Sequence, residues 1–150
     1  MQPVLLDSSI YIQALRAGEE GILASTRLAF RGPVWLSAVV LEELYAGVNM
    51  NQRHIVERLE RDFGGVRRIL VPNLNDWTQA GKVLARLGAE SGYEQIGLAR
   101  LTNDALIAMS AARQGITVIT ANERDFARLA RFRPFLWEVL SAREDSTRDV

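Results

Sequence analysis

Short apolar runs alternate along the chain with segments that have helical periodicity. The two clearest runs are Val4–Leu6, which leads into Asp7, and Ile116–Thr120. A short, mostly apolar run is typical of a strand buried on both faces, as in a parallel sheet. The alternation of such runs with helical segments predicts an α/β fold built on a parallel sheet.

The predicted elements follow from this pattern. Strands are predicted at Val4–Asp7, Pro33–Leu36, Arg68–Val71, Ile116–Thr120 and Phe135–Leu140. Helices are predicted at Ser8–Ala17, Glu19–Arg31, Ala38–Ala46, Asn51–Phe63, Asn75–Glu90, Asn103–Gln114 and Asn122–Arg131. The stretch Ser91–Leu101 is compatible with a helix or a loop, because Gly92 and Gly97 weaken helix formation there.

Residue types that favour helix ends stand at several of these boundaries. Ser37 and Asn75 are predicted N-caps, because their side chains can accept a hydrogen bond from the first turn of a helix. Gly64-Gly65 and Gly115 are predicted to end the helices that precede them.

The composition is that of an ordinary globular protein, which we expect to form a single domain over residues 1–150 with a flexible polar tail at 141–150. Of its 150 residues, 48% are hydrophobic and 24% are charged. No apolar run is long enough to cross a bilayer, and no basic segment precedes the first apolar run. We therefore expect no membrane span, no signal peptide and a cytoplasmic location.

Composition and charge also exclude several kinds of chemistry. Cysteine is absent, which excludes disulfides, thiolate catalysis and zinc sites with cysteine ligands. The single histidine, His54, excludes a site of several imidazoles, and we expect it to be exposed on a charged helix. The formal net charge is zero, so no global basic field would attract nucleic acid.

The basic residues are almost all arginines, with 17 arginines and one lysine, Lys82. Arginine suits bidentate phosphate contacts, although a GC-rich genome would give the same bias. The candidates for contact with RNA are Arg16, Arg53, Arg113, Arg124 and Arg128.

The acid that follows the first strand, Asp7, has two interpretations. It lies at the carboxyl end of a strand, where open α/β sheets place their ligands. It also lies where a strand turns into a helix, and an aspartate at that position commonly caps the helix. The sequence alone does not choose between a ligand-binding acid and a cap.

A second acid, Asp104, stands at the head of an apolar stripe on its predicted helix. The residues that share its helix face are Ile107, Ala108 and Ala111. A carboxylate directed toward a core needs compensation for its charge. Either a metal ion or the backbone N–H groups of a first helical turn would supply it.

Two further groups of acids are candidates for the same site. Glu42 and Glu43 are adjacent on a predicted helix, and helix geometry does not decide which of them faces inward. Asn122, Glu123 and Asp125 follow the strand Ile116–Thr120, and Asn122 is also a candidate helix cap. Acids gathered at the ends of strands form all-oxygen sites that suit Mg²⁺ or Mn²⁺, and two such ions can clamp a phosphodiester.

Four motifs, in order, resemble those of the PIN-domain ribonucleases, and among them the VapC-type toxins of type II toxin–antitoxin modules. The motifs are Leu-Leu-Asp7-Ser-Ser-Ile, Ser37-Ala-Val-Val-Leu-Glu-Glu43-Leu-Tyr-Ala-Gly47, Asp104-Ala-Leu-Ile-Ala-Met-Ser-Ala and Thr120-Ala-Asn122-Glu-Arg-Asp125-Phe126. The glutamate of the family's second motif directly precedes leucine, so the resemblance assigns that role to Glu43. The segment Asn51–Gly97 matches only in its helical character.

The resemblance implies a PIN-like domain, with a five-stranded parallel sheet flanked by helices. It implies a ribonuclease that uses Mg²⁺ or Mn²⁺ and a metal-activated water to hydrolyse RNA. It also implies a homodimer and a partner, a VapB-like antitoxin that covers the acidic pocket. The residues with implied roles are the catalytic metal ligands Asp7, Glu43 and Asp104, the catalytic acid Asp125, and the supporting residues Thr120 and Asn122.

One residue departs from the fullest family pattern, and two alternatives stay open. Asn122 stands where relatives often carry an aspartate, so a second metal ion would bind loosely there unless Asp125 substitutes. The first alternative is a stand-alone PIN ribonuclease in RNA processing. The second is a degenerate PIN module that binds RNA or protein without cutting. An aspartyl-phosphate enzyme is disfavoured, because Ser9 occupies the place where the phosphatases carry a second aspartate.

Overall fold

The computed structural model describes residues 1–18, 30, 32–95 and 99–140. In these residues five strands form one sheet, and their bounds are Val4–Leu6 (β1), Val34–Ser37 (β2), Ile69–Leu70 (β3), Thr117–Thr120 (β4) and Trp137–Val139 (β5). The strand order is β3-β2-β1-β4-β5, and every neighbouring pair is parallel. The predicted five-stranded parallel sheet is confirmed.

Helices cover the connections between the strands. The described α-helices are Ser8–Arg16 (α1), Ala38–Gly47 (α2), Arg53–Gly65 (α3), Leu74–Ser91 (α4), Ala99–Gln114 (α5) and Glu123–Phe132 (α6), with 3-10 turns at Met50–Gln52 and Tyr93–Gln95. Within the described parts of the chain, no helix combines the length and the apolarity that a membrane crossing requires. The helix predicted at Glu19–Arg31, apart from Phe30, and the tail at 141–150 lie outside the described residues.

The two central strands place the candidate site. All residues of β1 and β4 are buried, as expected for strands with helices on both faces. Leu6 of β1 pairs with Ile119 of β4, so Asp7 and Thr120 follow at the same edge of the sheet. The strand order reverses between β1 and β4, and α/β sheets bind ligands in the crevice at such a reversal.

The predicted N-cap of α4, Asn75, is wrong by two residues. The helix is capped by Asn73, whose side chain accepts a hydrogen bond from Asp76 N at 2.9 Å. In return the Asp76 side chain accepts one from Asn73 N, also at 2.9 Å. This reciprocal capping box needs an acid three residues after the cap, and Asn75 has none.

The predicted start of α5 is also wrong, since the helix begins at Ala99 and not at Asn103. Leu101 is only 4% exposed and extends the buried stripe one turn upstream, which favours the longer helix. Asp104 therefore lies in the second turn of α5, beyond the first-turn N–H groups.

The other predicted helix ends agree better with the structure. Ser37 caps α2 by accepting a hydrogen bond from Val39 N at 3.1 Å, as predicted. Gly115 has a φ of +65° directly after α5, which confirms it as the helix stop. Gly64-Gly65 does not interrupt α3, because both glycines belong to its last turn.

Candidate active site

The Asp7 carboxylate is fixed by its neighbours at the carboxyl end of β1. Its Oδ1 accepts a hydrogen bond from Ser8 N at 2.7 Å, which makes Asp7 the N-cap of α1. Its Oδ2 accepts hydrogen bonds from Ser9 Oγ and Thr120 Oγ1, both at 2.9 Å. Asp7 is 2% exposed. It is therefore a helix cap and also a buried carboxylate at the reversal point of the sheet.

The two hydroxyls that hold Asp7 also tie β1 to the loop after β4. Ser9 Oγ accepts a hydrogen bond from Ala121 N at 3.1 Å, and Thr120 Oγ1 accepts one from Asn122 N at 2.9 Å. Each hydroxyl thus bridges a backbone N–H group and the same carboxylate oxygen. The family resemblance implied a supporting role for Thr120, whereas Ser9 was not predicted, although its position two residues after the acid was an available signal.

The structure distinguishes the two adjacent glutamates of α2. Glu42 is exposed, whereas Glu43 is half-buried and its Oε1 is buried without a hydrogen-bond partner. Burial, followed by the charge of Asp7, raises the pKa of Glu43 from its ordinary 4.5 to about 7. Hydrogen bonds from the side chains of Ser8 and Asn103 oppose this rise in the pKa.

Asp104 reaches the same place from α5. It is 3% exposed, and its Oδ2 has no hydrogen-bond partner, so the interpretation of a first-turn acid satisfied by backbone N–H groups is wrong. Burial, then the charges of Asp7 and Glu43, raises the pKa of Asp104 from its ordinary 3.8 to about 8. The residues predicted to share its helix face are fully buried, namely Ile107, Ala108 and Ala111.

Asp7, Glu43 and Asp104 form an acidic cluster, so named here because the charge of Asp7 raises the pKa of both other acids and that of Glu43 raises the pKa of Asp104. Three oxygen-donor carboxylates with two unpartnered oxygens fit a hard divalent cation in their chemistry. Among the described residues, however, no group of three His, Asp or Glu side chains has the geometry to hold a metal ion in the present conformation. Binding an ion therefore requires these side chains to turn toward a common point.

A second group, the rim cluster, consists of Asn122, Asp125, Arg100 and Arg128. Asn122 Nδ2 donates a hydrogen bond to Asp125 Oδ2 at 3.0 Å, and Asn122 makes no side-chain cap on α6. Arg100 Nη2 lies 3.7 Å from Asp125 Oδ2, and Arg128 Nη1 lies 3.7 Å from Asp125 Oδ1. Glu123, a third candidate after β4, is exposed. Asp125 thus faces two cations, and it lies near enough to the acidic cluster for its charge to raise the pKa of Asp104, which Arg100 lowers.

Two of the arginines predicted as candidates for RNA contact are engaged elsewhere. Arg113 Nε donates to both oxygens of Asp76, at 3.0 and 3.1 Å. Arg53 pairs with Glu57 at 3.4 Å and lies over the ring of Tyr45. Arg113, predicted as a candidate for RNA contact, is therefore held in an ion pair with a buried acid.

Two further basic residues, His54 and Arg100, lie on α3 and α5. His54 is exposed on α3, as predicted. Arg100 was missed by the sequence analysis, although it lies four residues before Asp104 and thus on the same face of α5.

The family of the chain follows from its sequence and its fold together. Residues 4–132 match the PIN domain, so the chain belongs to the PIN-domain family. PIN domains are generally nucleases that use divalent metals. A comparison with curated proteins found no match.

Solved structures with similar folds include chains of several VapBC complexes. The similar chain of VapBC2 from Rickettsia felis, bound to a promoter DNA fragment, is 23% identical, with a TM-score of 0.63 over 93% of this chain and all of that one. The chain of VapBC-1 from Haemophilus influenzae is 22% identical, with a TM-score of 0.61 over 92% and 98%. The chain of VapBC-5 from Mycobacterium tuberculosis, a toxin–antitoxin system, is 25% identical, with a TM-score of 0.53 over 95% and 100%.

Proposed function

We propose that this chain is the toxin of a type II toxin–antitoxin system and acts as a ribonuclease that depends on Mg²⁺ or Mn²⁺. The observation that carries the proposal is the pair of buried, unpartnered oxygens, Glu43 Oε1 and Asp104 Oδ2, beside the Asp7 carboxylate. Like charges at a buried site are costly without a cation. A divalent ion is the compensation that this set of oxygen donors suits.

The residues that would hold the ion are those of the acidic cluster. Asp7 presents its carboxylate in an orientation fixed by Ser9 and Thr120, whereas Glu43 and Asp104 each keep one oxygen without a partner. We therefore expect the latter two to turn toward Asp7 on binding. The ion supplies positive charge that makes water a stronger nucleophile and stabilises the charge that develops on the phosphodiester.

The proposed partner is a VapB-like antitoxin that covers the acidic pocket, with the chain itself a homodimer in the cytoplasm. The support is the likeness to chains of VapBC complexes, which extends over more than nine-tenths of this chain in each of three cases. A stand-alone ribonuclease would have the same acidic cluster but no such partner.

The test of the catalytic part is RNA cleavage by the purified protein with and without Mg²⁺ or Mn²⁺. Asp7→Asn and Asp104→Asn are expected to abolish metal-dependent cleavage while the protein stays folded. Glu42→Gln removes an exposed acid beside the cluster and is expected to leave cleavage unchanged. Equal cleavage by wild type and both aspartate variants would show that a contaminating nuclease acts, and the catalytic proposal would fail.

The proposed role as a toxin is tested by measuring the growth of a bacterial host that expresses the chain. Induced expression is expected to arrest growth, and co-expression of the small reading frame adjacent to the gene is expected to relieve the arrest. Metal-dependent cleavage without growth arrest would favour the stand-alone ribonuclease. RNA binding with neither cleavage nor metal binding would favour the non-catalytic module.

A further inference from the structure

The Asp125 carboxylate is paired with two arginines and one amide, unlike the acids of the acidic cluster in the described part of the chain. Its Oδ2 accepts the amide of Asn122 and faces Arg100, and its Oδ1 faces Arg128. Two cations therefore surround one anion, and the rim cluster carries a net positive charge. A carboxylate held in this way is a poor candidate for a metal ligand, because binding an ion there would bring a third cation close to the two guanidinium groups.

Arg100 is the exposed member of the rim cluster. Its side chain is 69% exposed, whereas that of Arg128 is 20% exposed. It lies in the first turn of α5, one helical turn before Asp104 and on the same face, so it borders the acidic cluster. Its ion pair with Asp125 is long, at 3.7 Å, and a pair this exposed contributes little to stability. Because this contact uses only one nitrogen of the guanidinium group, Arg100 can bind a second anion while it remains beside Asp125.

The substrate of the proposed function brings such an anion. An RNA strand entering the acidic cluster presents a phosphate on each side of the scissile one, and the cluster itself repels them. With a formal net charge of zero, the chain offers no general attraction for RNA, so attraction must come from locally placed cations. A guanidinium fork matches the geometry of phosphate oxygens.

We propose that Arg100 binds an RNA phosphate next to the scissile bond, and that Asp125 positions Arg100 at the rim instead of binding metal. This inference rests on the proposed ribonuclease function and assigns a substrate contact within it. Asp125 is then a positioning residue, and Asn122 holds its carboxylate through the 3.0 Å hydrogen bond.

The first experiment measures binding of a fluorescein-labelled RNA hairpin with a mixed-sequence loop, by anisotropy in Ca²⁺. Arg100→Ala is expected to weaken binding about tenfold, the loss expected for one charge-assisted contact. It should also reduce the slope of log K against log salt concentration by about 0.7. Arg100→Lys keeps the charge but loses the fork, so it should recover part of the affinity.

The matched control is Arg131→Ala. Arg131 is 60% exposed and pairs with Glu90, so the variant removes a similarly exposed, ion-paired arginine whose partner is Glu90 and not Asp125. It is expected to bind the RNA as wild type does. Equal affinities of Arg100→Ala and Arg131→Ala would overturn the assignment of Arg100, even if the wild type cleaves RNA.

The second experiment measures Mn²⁺ binding by calorimetry, without RNA. Asp125→Asn and Arg100→Ala remove charges that act on Asp104, so they are expected to shift the dissociation constant only a few-fold, whereas Asp104→Asn is expected to lose binding. A loss of Mn²⁺ binding by Asp125→Asn as large as that by Asp104→Asn would make Asp125 a metal ligand and overturn its positioning role. A wild-type protein that binds neither Mn²⁺ nor RNA would overturn this inference and the proposed function together.

Discussion

Two buried aspartates on neighbouring helices have opposite environments. Asp76 of α4 is 1% exposed, and it accepts hydrogen bonds from Asn73 N and from Arg113, which lies in the last turn of α5. Asp104, near the other end of α5, is 3% exposed and keeps an oxygen without a partner. The two acids are almost equally buried, but in the described part of the chain only Asp76 forms an ion pair.

This difference separates a structural acid from a functional one. Asp76 joins α4 to α5 and completes the capping box of α4, so its charge is compensated within the folded chain. Asp104 borders two more acids and gains nothing for stability from its charge. The proposed function assigns the missing compensation of Asp104 to a bound metal ion. Substitutions at the two places should therefore affect different properties.

The largest expected effect is on catalysis. Glu43→Gln should reduce metal-dependent RNA cleavage about 10³-fold, because the metal's contribution to transition-state stabilisation is several kcal/mol and each 1.36 kcal/mol is tenfold. Its neighbour offers a matched control, since Glu42→Gln changes the same charge on an exposed side chain. Single-turnover rates measure both, and comparable rates for the two variants would remove Glu43 from the site.

The next largest effect is expected on the stability of the protein, through the ion pair of Asp76. Arg113→Ala leaves the buried Asp76 without its cation and should lower the free energy of unfolding by about 3 kcal/mol. Urea denaturation measures this loss, while the cleavage rate per folded molecule should stay unchanged. Arg131→Ala breaks an exposed ion pair and should cost at most about 1 kcal/mol. A variant lacking Arg113 that is as stable as the wild type would show that Asp76 needs no counter-charge.

A smaller effect concerns the pH dependence of the metal-free protein. The folded-state pKa values of Glu43 and Asp104 are raised to about 7 and about 8, so the native state binds more protons than the unfolded chain above pH 4. Stability should therefore fall as pH rises from about 4 to about 8, and saturating Mn²⁺ should restore it.

Thermal melting in a chelator, from pH 5 to 8.5, measures this dependence. Asp104→Asn should flatten it, because the amide does not titrate. If the melting temperature of the wild type instead rises over this range, the acidic cluster is not destabilising and the comparison with Asp76 fails.

The smallest effect is expected at the hydroxyl that holds Asp7. Ser9→Ala removes hydrogen bonds to Asp7 Oδ2 and from Ala121 N, and should cost about 1 kcal/mol of stability and about tenfold in cleavage rate. Ser9→Thr keeps the hydroxyl and should behave nearly as the wild type. If the alanine variant cleaves RNA at the wild-type rate, Thr120 alone is sufficient to orient Asp7.

The sheet was predictable because its strands are short, apolar and buried on both faces. The strand ends then located Asp7 and Thr120 at one edge, since parallel strands finish on the same side. The inward position of Glu43 was not accessible from helix periodicity, because apolar residues surround both glutamates. The resemblance to the family had to supply it, and the exposure of Glu42 agrees with that choice.

Other features depend on contacts between residues far apart in sequence. The ion pair of Asp76 with Arg113 joins positions 37 residues apart, and nothing in either local sequence indicates it. The correct cap of α4 was accessible from the spacing of Asn73 and Asp76, but Asn75 offered a competing choice. The early start of α5 and the rim position of Arg100 needed the packing of Leu101 to be known.

The central claim is that the acidic cluster binds a divalent metal ion, and calorimetric titration of Mn²⁺ into wild type and Asp104→Asn tests it most directly. The account predicts that the wild type binds Mn²⁺, that binding weakens as pH falls below about 7, and that the variant binds none while remaining folded. Equal binding by both proteins, or no binding by the wild type at pH 8, would contradict it.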